Sequence, residues 1–371
     1  MLVIHLIATL DLGGAEKQLL TVCSEQKALG YRVLVVPFKG SNSLASLFEE
    51  VGVEVVDELR GLKTFQQVRL IRNLLVIEKD AIFHVHSPKA QCLASLIKRR
   101  KSILVVSRHD AMQFIKSAPR FISNLLWRLV SQRANQIVII SRAIEQKMEK
   151  RGEVVDTSKI NVCYYGLSND DLKKIETSDR NIVRKKYSLE NKYVIGTVGR
   201  FIAEKNHKFL IDVYYQIARD LTNAHLLLVG YGELEKEIRE RIANLGISER
   251  VTIIGKENSP FDFYRSMDVF VMPSLTEGFG LVLLEAMAAP LPLVVSDVDA
   301  LPEVLGSECG YIFQTDDASK LKSILLQLDD EVTRAAQQLK SKSRLGKFSS
   351  KKMALNMGLI YEKAKQNANY A

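Results

Sequence analysis

The chain has 371 residues, and at about 100–200 residues per domain this length predicts two domains. Apolar residues make up 47% and charged residues 26%, which excludes a disordered, collagen-like or coiled-coil chain. The net charge is +9, and no window approaches the roughly 18 uncharged apolar residues that a membrane-spanning helix needs.

Short apolar stretches alternate with amphipathic ones along the first 167 residues. The opening stretch, residues 1–10, has neither a cationic segment before it nor a small-residue cleavage site, so it predicts a buried strand rather than a signal peptide. Helices are predicted at Glu16–Leu29 and Phe65–Glu78. The predicted strands of this half are Leu2–Ala8, Arg32–Pro37, Ala81–His86, Ile103–Ser107 and Gln136–Ile140.

The same alternation starts again at Lys192, after a polar stretch. Helices are predicted at Leu234–Leu245 and Leu281–Ala289. Strands are predicted at Tyr193–Val198, His225–Val229, Arg250–Ile254, Val269–Met272 and Pro292–Ser296. Regular alternation of strand and helix indicates parallel sheets that are covered on both faces. We therefore predict an α/β fold of two doubly wound, Rossmann-like domains facing a cleft.

The predicted domain boundaries follow from the polar stretch between the two halves. Residues 1–167 form an N-terminal domain, which we expect to bind an acceptor, and residues 168–346 form a C-terminal domain, which we expect to bind a donor. Residues 347–371 are polar and helical in pattern, and no strand follows them.

All of the excess positive charge lies in the first half, where residues 1–167 hold 24 Lys and Arg against 15 Asp and Glu. Residues 98–151 alone hold 13 basic and three acidic residues. Such a field attracts anions: nucleic acid, an acidic membrane surface or a phosphorylated acceptor. A solvated basic surface that keeps the protein in solution is the alternative explanation.

A glycine pair, Gly13-Gly14, joins the first predicted strand to the first helix. Glycine lets the backbone approach a ligand, and a helix N-terminus offers free N–H groups to an anion. The pattern is not G-x-G-x-x-G and no acidic residue closes the second strand at Pro37, so a nicotinamide cofactor is disfavoured. A simple tight turn remains the alternative.

The second domain opens with a strand that ends in Gly199-Arg200, and Lys205 follows five residues later. The planar guanidinium of Arg and the point charge of Lys together suit a diphosphate. An exposed loop with two solvated cations is the alternative. The later Gly230-Tyr231-Gly232 is predicted to be a structural turn.

The most specific stretch runs from Pro273-Ser274 through Glu277 to Glu285. A strand ends there, and a glycine-rich loop leads into a helix whose first N–H groups are available to a ligand. Glu285 lies in an apolar helix, where a carboxylate needs a partner. Sugar or ribose hydroxyls would serve as that partner, and a buried pair with Arg or Lys is the alternative.

These motifs, in this order, resemble the family 4 glycosyltransferases, which have the two-domain GT-B architecture. The resemblance runs from Gly13-Gly14 to Glu303. It rests on Gly-Gly-Ala-Glu at 13–16, Ser-Arg-His-Asp at 107–110, Ile-Ile-Ser at 139–141, Val-Gly-Arg at 198–200, Glu-Lys-Asn at 204–206, Val-Gly-Tyr-Gly at 229–232, Pro-Ser at 273–274, and the pair Glu277 and Glu285.

The resemblance implies a retaining transfer of a sugar from a nucleoside diphosphate sugar to a glycan or a lipid-linked acceptor, in cell-surface polysaccharide or lipopolysaccharide synthesis. It assigns catalytic roles to His109, Glu277, Arg200 and Lys205, and donor binding to Gly14, Arg200, Lys205, Phe279, Gly280, Leu281 and Glu285. Within these sets, Arg200 and Lys205 hold the diphosphate, Glu285 binds the ribose, and Glu277 and His109 contact the sugar. No cofactor and no metal are expected, because Arg and Lys supply the positive charge. The helical tail is expected to cross back to the first domain.

Two positions depart from the family pattern. Tyr165-Gly166 stands where many relatives have Asn-Gly, and Pro290 stands where the family usually has glycine after the helix. Pro290 lies beyond Glu285, so it does not argue against activity.

His84 and His86 alternate on one strand, as metal ligands can. A metal site there is disfavoured because no acidic or cysteine partner is near in sequence. No role is assigned to His5, His207 or His225. The four cysteines are widely spaced, which disfavours zinc and disulfides and predicts a reducing, cytoplasmic location.

Other functions stay open at this point. A nucleotide-sugar epimerase of GT-B fold would lack the Glu277–Glu285 order, and a silent sugar-binding homologue would turn over no donor. A nucleic-acid-binding protein would have aromatic residues among the basic ones, which this chain lacks, so no nucleic acid is expected as a partner. The stretch Gln113–Arg133 predicts a helix that lies on an anionic inner membrane face or, alternatively, packs on the core with a solvated basic face.

Overall fold

The computed structural model describes residues 1–11, 13–78, 80–99, 101–153, 156–256 and 260–370. They divide into two compact units, of which unit 1 comprises Met1–Gly166 and Ser350–Ala371, and unit 2 comprises Leu167–Ser349. Each unit is built on one parallel sheet with helices, which confirms the prediction of two Rossmann-like α/β domains. Leu12 of the predicted glycine turn lies outside the described residues.

The sheet of unit 1 has seven strands in the order β3-β2-β1-β4-β5-β6-β7. The order reverses between β1 and β4, which is the switch point at which such sheets bind ligands. The strands are β1 (Leu2–Ile7), β2 (Arg32–Pro37), β3 (Glu54–Val55), β4 (Ile82–Val85), β5 (Ile103–Arg108), β6 (Gln136–Ile139) and β7 (Ile160–Val162).

The sheet of unit 2 has six strands in the order β10-β9-β8-β11-β12-β13, so its order reverses between β8 and β11. The strands are β8 (Tyr193–Val198), β9 (Ala224–Val229), β10 (Val251–Ile254), β11 (Val269–Met272), β12 (Leu293–Ser296) and β13 (Tyr311–Phe313). Their apolar side chains form a core with helix residues such as Leu210, Tyr214 and Leu321.

Helices follow most of the strands. They are α1 (Gly14–Ala28), α2 (Ala45–Glu50), α3 (Thr64–Ile77), α4 (Pro88–Ile97), α5 (Arg120–Arg133), α6 (Arg142–Lys150), α7 (Asn169–Thr177), α8 (Arg180–Lys186), α9 (His207–Asp220), α10 (Glu235–Asn244), α11 (Phe261–Tyr264), α12 (Leu281–Ala288), α13 (Leu301–Leu305), α14 (Ala318–Gln327), α15 (Glu331–Leu345) and α16 (Ser350–Tyr370). Short 3₁₀ turns lie at Asp57–Leu59, Thr157–Lys159, Ala203–Lys205 and Ser248–Arg250. Among the helices of the described residues, none has both the length and the apolar character needed to cross a bilayer.

The predicted helix over residues 113–133 is wrong in its first part, because α5 begins at Arg120. Pro119 precedes it, and the Gln113 side chain donates hydrogen bonds to the carbonyl oxygens of Ile115 and Ala118, at 2.7 Å each. These bonds hold residues 113–118 in a compact loop rather than a helical turn.

Gly230 and Gly255 directly follow β9 and β10 and offer a matched test of the packing at the carboxyl edge of the unit 2 sheet. A Cβ at Gly230 would lie 1.9 Å from the carbonyl oxygen of Gly199, whereas a Cβ at Gly255 would meet nothing within 4 Å. We therefore expect Gly230→Ala to lower the free energy of unfolding by about 1–3 kcal/mol, as overpacking does. Gly255→Ala should leave it nearly unchanged. Thermal and urea unfolding of the two variants measure this, and equal stability would contradict the close packing.

Candidate functional site

The loop after β8 carries the two predicted diphosphate-binding cations of unit 2. Arg200 is exposed, one residue after Gly199, and Lys205 ends the short 3₁₀ turn that follows. The aliphatic stem of Lys205 lies over Gly199, since a Cβ at that glycine would sit 3.7 Å from the lysine Cδ. Both cations are thus at the carboxyl edge of the sheet, beside its switch point.

Glu277 contacts Lys205 directly. Its Oε1 forms an ion pair with the lysine Nζ and accepts a hydrogen bond from Ser274 Oγ at 3.0 Å. The Glu277 side chain is only 10% exposed, so the pair is held largely away from water. The loop is fixed from the other side by Asp299, whose carboxylate accepts from the Glu277 N–H at 2.9 Å and from the Thr276 hydroxyl at 2.6 Å.

Glu285 lies on α12 and accepts a hydrogen bond from the hydroxyl of Tyr264, which ends α11. Tyr264 is fully buried, and this burial, followed by the Glu285 carboxylate, raises the pKa of its phenol well above the usual value. The hydroxyl therefore stays protonated and donates. The structure shows a tyrosine hydroxyl at Glu285, a partner that the sequence analysis did not name.

The loop before α12 holds the other predicted donor-binding residues, Phe279, Gly280 and Leu281. Phe279 is buried, Leu281 is the first residue of the helix, and Gly280 precedes it with φ +89°. A Cβ at Gly280 would lie 2.8 Å from Leu301 Cδ2, so both the backbone angle and the packing favour glycine. The first N–H groups of α12 start at the same edge as Lys205 and Glu277.

In unit 1, Gly14 is the exposed first residue of α1, directly after the loop that follows β1. A Cβ at the preceding Gly13 would meet the Glu16 carboxylate at 2.3 Å. The structure thus places the glycine pair at the N-terminus of a helix, at the carboxyl end of a central strand.

His109 follows β5 in unit 1 and belongs to a cluster with His5, His84 and His86. His5 and His84 are paired across β1 and β4, and neighbouring ring centroids in the cluster lie 4.1–5.2 Å apart. Burial lowers the pKa of His5 and of His109 to about 4, and it lowers those of His84 and His86 well below the usual range. All four rings are therefore neutral at pH 7.

Nitrogen atoms of His5, His84 and His86 lie within 4.8 Å of one another, close enough to suggest a metal site. Both ring nitrogens of His84, however, have other partners, the Tyr361 hydroxyl at 2.8 Å and Ser107 Oγ at 2.6 Å. The arrangement is satisfied by hydrogen bonds alone, in keeping with the expectation of no metal, which stays a prediction.

Sequence reasoning missed several residues that support these groups: Tyr264, Asp299, His5, Gln26 and Tyr361. Their partners lie at least 21 residues away along the chain, and Tyr361 lies in α16, 277 residues from its partner His84. Their only local signal is a polar side chain within an apolar stretch, as with His5 in β1.

The buried histidines predict a loss of stability in mild acid. The unfolded chain binds protons near pH 6.5, whereas His5 in the folded state does so only near pH 4. The contribution of each such histidine to the free energy of unfolding is thus fully present above about pH 6.5. It falls as the pH is lowered towards 4, by up to about 1.4 kcal/mol per pH unit. Urea unfolding near pH 7 and near pH 5 measures the slope. The variant His5→Gln should show a shallower slope than the wild type, and equal slopes would contradict a neutral His5.

Comparisons with known proteins find relatives of both halves of the chain. Residues 12–170 match the sequence profile described as Glycosyltransferase Family 4, and residues 179–345 match that described as Glycosyl transferases group 1. The capsular polysaccharide biosynthesis glycosyltransferase CapM of Staphylococcus aureus is 29% identical over 80% of this chain and 81% of its own length. The lipopolysaccharide core biosynthesis mannosyltransferase LpsB of Rhizobium meliloti is 30% identical over 46% of this chain and 52% of its own length.

Among solved structures, Anabaena HepE in complex with UDP superimposes with a TM-score of 0.81, covering 97% of this chain and 99% of HepE, at 19% sequence identity. HepE has also been solved with UDP-glucose. At this level of identity the likeness concerns the fold.

Proposed function

Because this chain belongs to the family 4 glycosyltransferases of GT-B fold, we propose that it transfers a sugar, with retention of configuration, from a nucleoside diphosphate sugar to a glycan or lipid-linked acceptor. The observation that carries the proposal is the carboxyl edge of the unit 2 sheet. Arg200 and Lys205, which is paired with Glu277, lie at this edge, and α12, which starts there, carries Glu285 with its hydrogen bond from Tyr264.

The charges at this edge suit the departure of a diphosphate. Negative charge develops on the leaving group, so cations and N–H groups fixed in advance stabilise the transition state more than the bound substrate. Arg200, Lys205 and the first N–H groups of α12 are such donors. Since these side chains provide the positive charge, we propose that no metal is required. If the acceptor attacks on the side of the leaving group, no general base is needed on the opposite face.

The ion pair between Lys205 and Glu277 suggests that the carboxylate has one role in the absence of the donor and another in its presence. We propose that the carboxylate keeps the lysine in place while the donor is absent, and that it contacts the transferred sugar once the lysine binds phosphate. Two hydrogen bonds keep Glu277 in position while the lysine changes partner. Ser274 donates to the Glu277 carboxylate, and the Glu277 N–H donates to Asp299. We propose the same sugar-contacting role for His109 of unit 1.

The donor base is tested by thermal unfolding with UDP-, GDP- and ADP-sugars, because a ligand that binds only the folded state raises the unfolding temperature. The complex of HepE with UDP supports a uridine diphosphate donor as the first choice. Transfer of the bound sugar and NMR of the product anomer then test the reaction and its stereochemistry. The proposed function fails if none of the donors raises the unfolding temperature and none is turned over.

We expect substitutions at the site to separate into two kinetic classes. Arg200→Ala and Lys205→Ala should lower kcat by roughly 10²-fold, because developing charge on the diphosphate loses a fixed donor. Glu285→Gln should mainly raise KM for the donor, since the ribose does not change charge in the reaction. Steady-state kinetics with one donor measures both. If Glu285→Gln instead lowers kcat as much as Arg200→Ala with KM unchanged, Glu285 does not act on the ribose.

Tyrosine variants provide a matched control for Glu285. Tyr264→Phe removes the hydroxyl that holds the carboxylate and should raise the donor KM in the same direction as Glu285→Gln. Tyr193→Phe removes another buried hydroxyl of unit 2, one that donates to the carbonyl oxygen of Leu325 at 2.8 Å and lies at the amino-terminal end of β8, at the opposite edge of the sheet from Arg200. It should leave KM unchanged, so a similar effect of both variants would point to general destabilisation.

We further propose that α5 of unit 1 docks on an anionic membrane surface, which would place the enzyme on the cytoplasmic face beside a lipid-linked acceptor. The inner face of α5 packs on the core through Trp127 and Val130, both fully buried. Its outer face exposes Phe121 by 74% and Leu125 by 67%. Exposed Arg128 lies one turn beyond Leu125 on the same face. Large apolar side chains next to cations are typical of an interfacial helix.

Liposome flotation tests the membrane proposal. We expect the protein to float with vesicles that contain anionic phospholipid and to remain at the bottom with neutral ones. The double variant Phe121→Ser/Leu125→Ser should lose flotation, because it removes the apolar part of the outer face. A matched variant, Val332→Ser/Leu339→Ser, removes two comparably exposed side chains of α15 in unit 2 and should still float. Equal flotation with both kinds of vesicle would end the proposal.

A further inference from the structure

A continuous run of hydrogen bonds joins eight side chains of unit 1, and we call it the histidine relay. It contains the four clustered histidines and links β1, β4 and the ends of β5 and β7 to α1 and α16. In order along the run, its members are Tyr165, His109, His86, His5, Gln26, Tyr361, His84 and Ser107.

The first half of the relay leads from Tyr165 to Gln26. The Tyr165 hydroxyl is 2.6 Å from His109 Nδ1, and His109 Nε2 is 2.9 Å from His86 Nδ1. His86 Nε2 is in turn 2.9 Å from His5 Nδ1. His5 Nε2 is 3.0 Å from the amide oxygen of Gln26, a residue that is fully buried.

The second half leads from Gln26 to Ser107. The Gln26 amide nitrogen donates to the Tyr361 hydroxyl at 3.1 Å. That hydroxyl is 2.8 Å from His84 Nδ1, and His84 Nε2 is 2.6 Å from Ser107 Oγ. Gln26 therefore stands at the centre, with its carbonyl towards one half and its N–H₂ towards the other.

The amide of Gln26 gives the first half a direction. A carbonyl oxygen can only accept, so the proton of neutral His5 is on Nε2 and its Nδ1 accepts. His86 must then donate from Nε2 and accept at Nδ1, and the same holds for His109. At the end of the run, the Tyr165 hydroxyl donates to His109 Nδ1.

In the second half, the Tyr361 hydroxyl accepts from Gln26, and neutral His84 Nδ1, at 2.8 Å, is the acceptor available for its own proton. With that bond made, His84 carries its proton on Nε2 and donates to Ser107. A charged ring would have two N–H groups, so charging His5, His86 or His109 would turn His109 Nδ1 into a donor to the Tyr165 hydroxyl, which can also accept. His109 Nδ1 is thus an acceptor only while these three rings are neutral.

We propose that Gln26, acting through His5 and His86, is a positioning residue that fixes the tautomer of His109 and makes its Nδ1 a hydrogen-bond acceptor for a hydroxyl group. In the ligand-free enzyme that hydroxyl belongs to Tyr165, and a hydroxyl of the transferred sugar takes its place in the complex. The second part rests on the proposed function, because it assumes that His109 contacts the sugar.

The position of the relay supports this role. A pocket of unit 1 is lined by members of both halves of the relay, His84, His86, Ser107, His109 and Tyr165, and by apolar side chains such as Met353 and Met357, so the relay borders a cavity. The charged groups nearest to the His109 end of the relay are Glu16, Arg108 and Asp110. Arg108 is engaged by Glu153 at 2.9 Å, so its charge is paired.

The decisive measurement is the ¹⁵N spectrum of the full-length, ligand-free protein with labelled histidine near pH 7, because ring nitrogen shifts distinguish the two neutral tautomers and the charged form. We expect His5, His84, His86 and His109 to be neutral with the proton on Nε2. A charged His109, a proton on its Nδ1, or stoichiometric zinc in metal analysis of the protein would overturn the proposal.

Two variants test the direction set by Gln26. Gln26→Leu removes the acceptor, so a proton on His109 Nδ1 should become populated three hydrogen bonds away. Tyr361→Phe removes the donor to His84 and the acceptor of the Gln26 N–H₂ but leaves the Gln26 carbonyl oxygen in place, so the His84 spectrum should change while that of His109 stays as in the wild type. Gln67→Leu, a change at another buried glutamine of unit 1, is the control for lost stability and should alter neither ring.

Kinetics shows whether the tautomer matters for the sugar. Gln26→Leu should lower kcat/KM for the donor by about tenfold, the effect of one net hydrogen bond, whereas Tyr361→Phe should stay within about twofold. If Gln26→Leu leaves the His109 spectrum or the kinetics as in the wild type, the positioning role is overturned. If the wild type binds no nucleotide sugar, the proposed function fails, and the ligand-free spectra still decide whether Gln26 sets the tautomer.

Discussion

Parallel strands place all of their carboxyl ends at one edge of a sheet, and both sheets of this chain consist of parallel pairs. Loops that leave this edge from adjacent strands are therefore neighbours, whatever their positions in the sequence. In unit 2, this brings the loop after β8, with Arg200 and Lys205, next to the loop after β11, with Glu277. The ion pair between Lys205 and Glu277 is a direct result of strand order.

The same constraint acts in unit 1 with different chemistry. There β1, β4 and β5 lie side by side, and the side chains that meet are neutral imidazoles instead of opposite charges. Burial removes the charge that these rings would carry in mild acid, and hydrogen bonds replace water around them. The edge of the unit 2 sheet therefore carries charged side chains, whereas that of unit 1 carries a neutral array of donors and acceptors.

Most of the strands were predictable from sequence because short apolar runs bounded by turn residues are typical of buried strands, whereas the short β3 and β13 were not predicted. Arg32–Pro37, Tyr193–Val198 and Val269–Met272 are found with the predicted bounds. The helix predicted over residues 113–133 failed at its start, where Gln113 and Pro119 compete with helical hydrogen bonding. Charged motifs were visible because Glu, Arg and Lys are conspicuous near strand ends. The hydroxyl of Tyr264 and the amide of Gln26 were not, since an ordinary residue gains its role only through a partner far along the chain.

The return of the last helix to unit 1 has a consequence for synthesis of the chain. Residues 167–349 leave the ribosome before α16 does, so unit 2 has its whole sequence available while unit 1 still lacks a part. The missing part includes Tyr361, which bridges Gln26 and His84, and Ser350, whose hydroxyl donates to Glu25 at 2.5 Å. Domains usually mature in the order in which they are translated. Here the unit that is begun first is completed last, and its buried histidines obtain their final hydroxyl only after the other unit is able to fold.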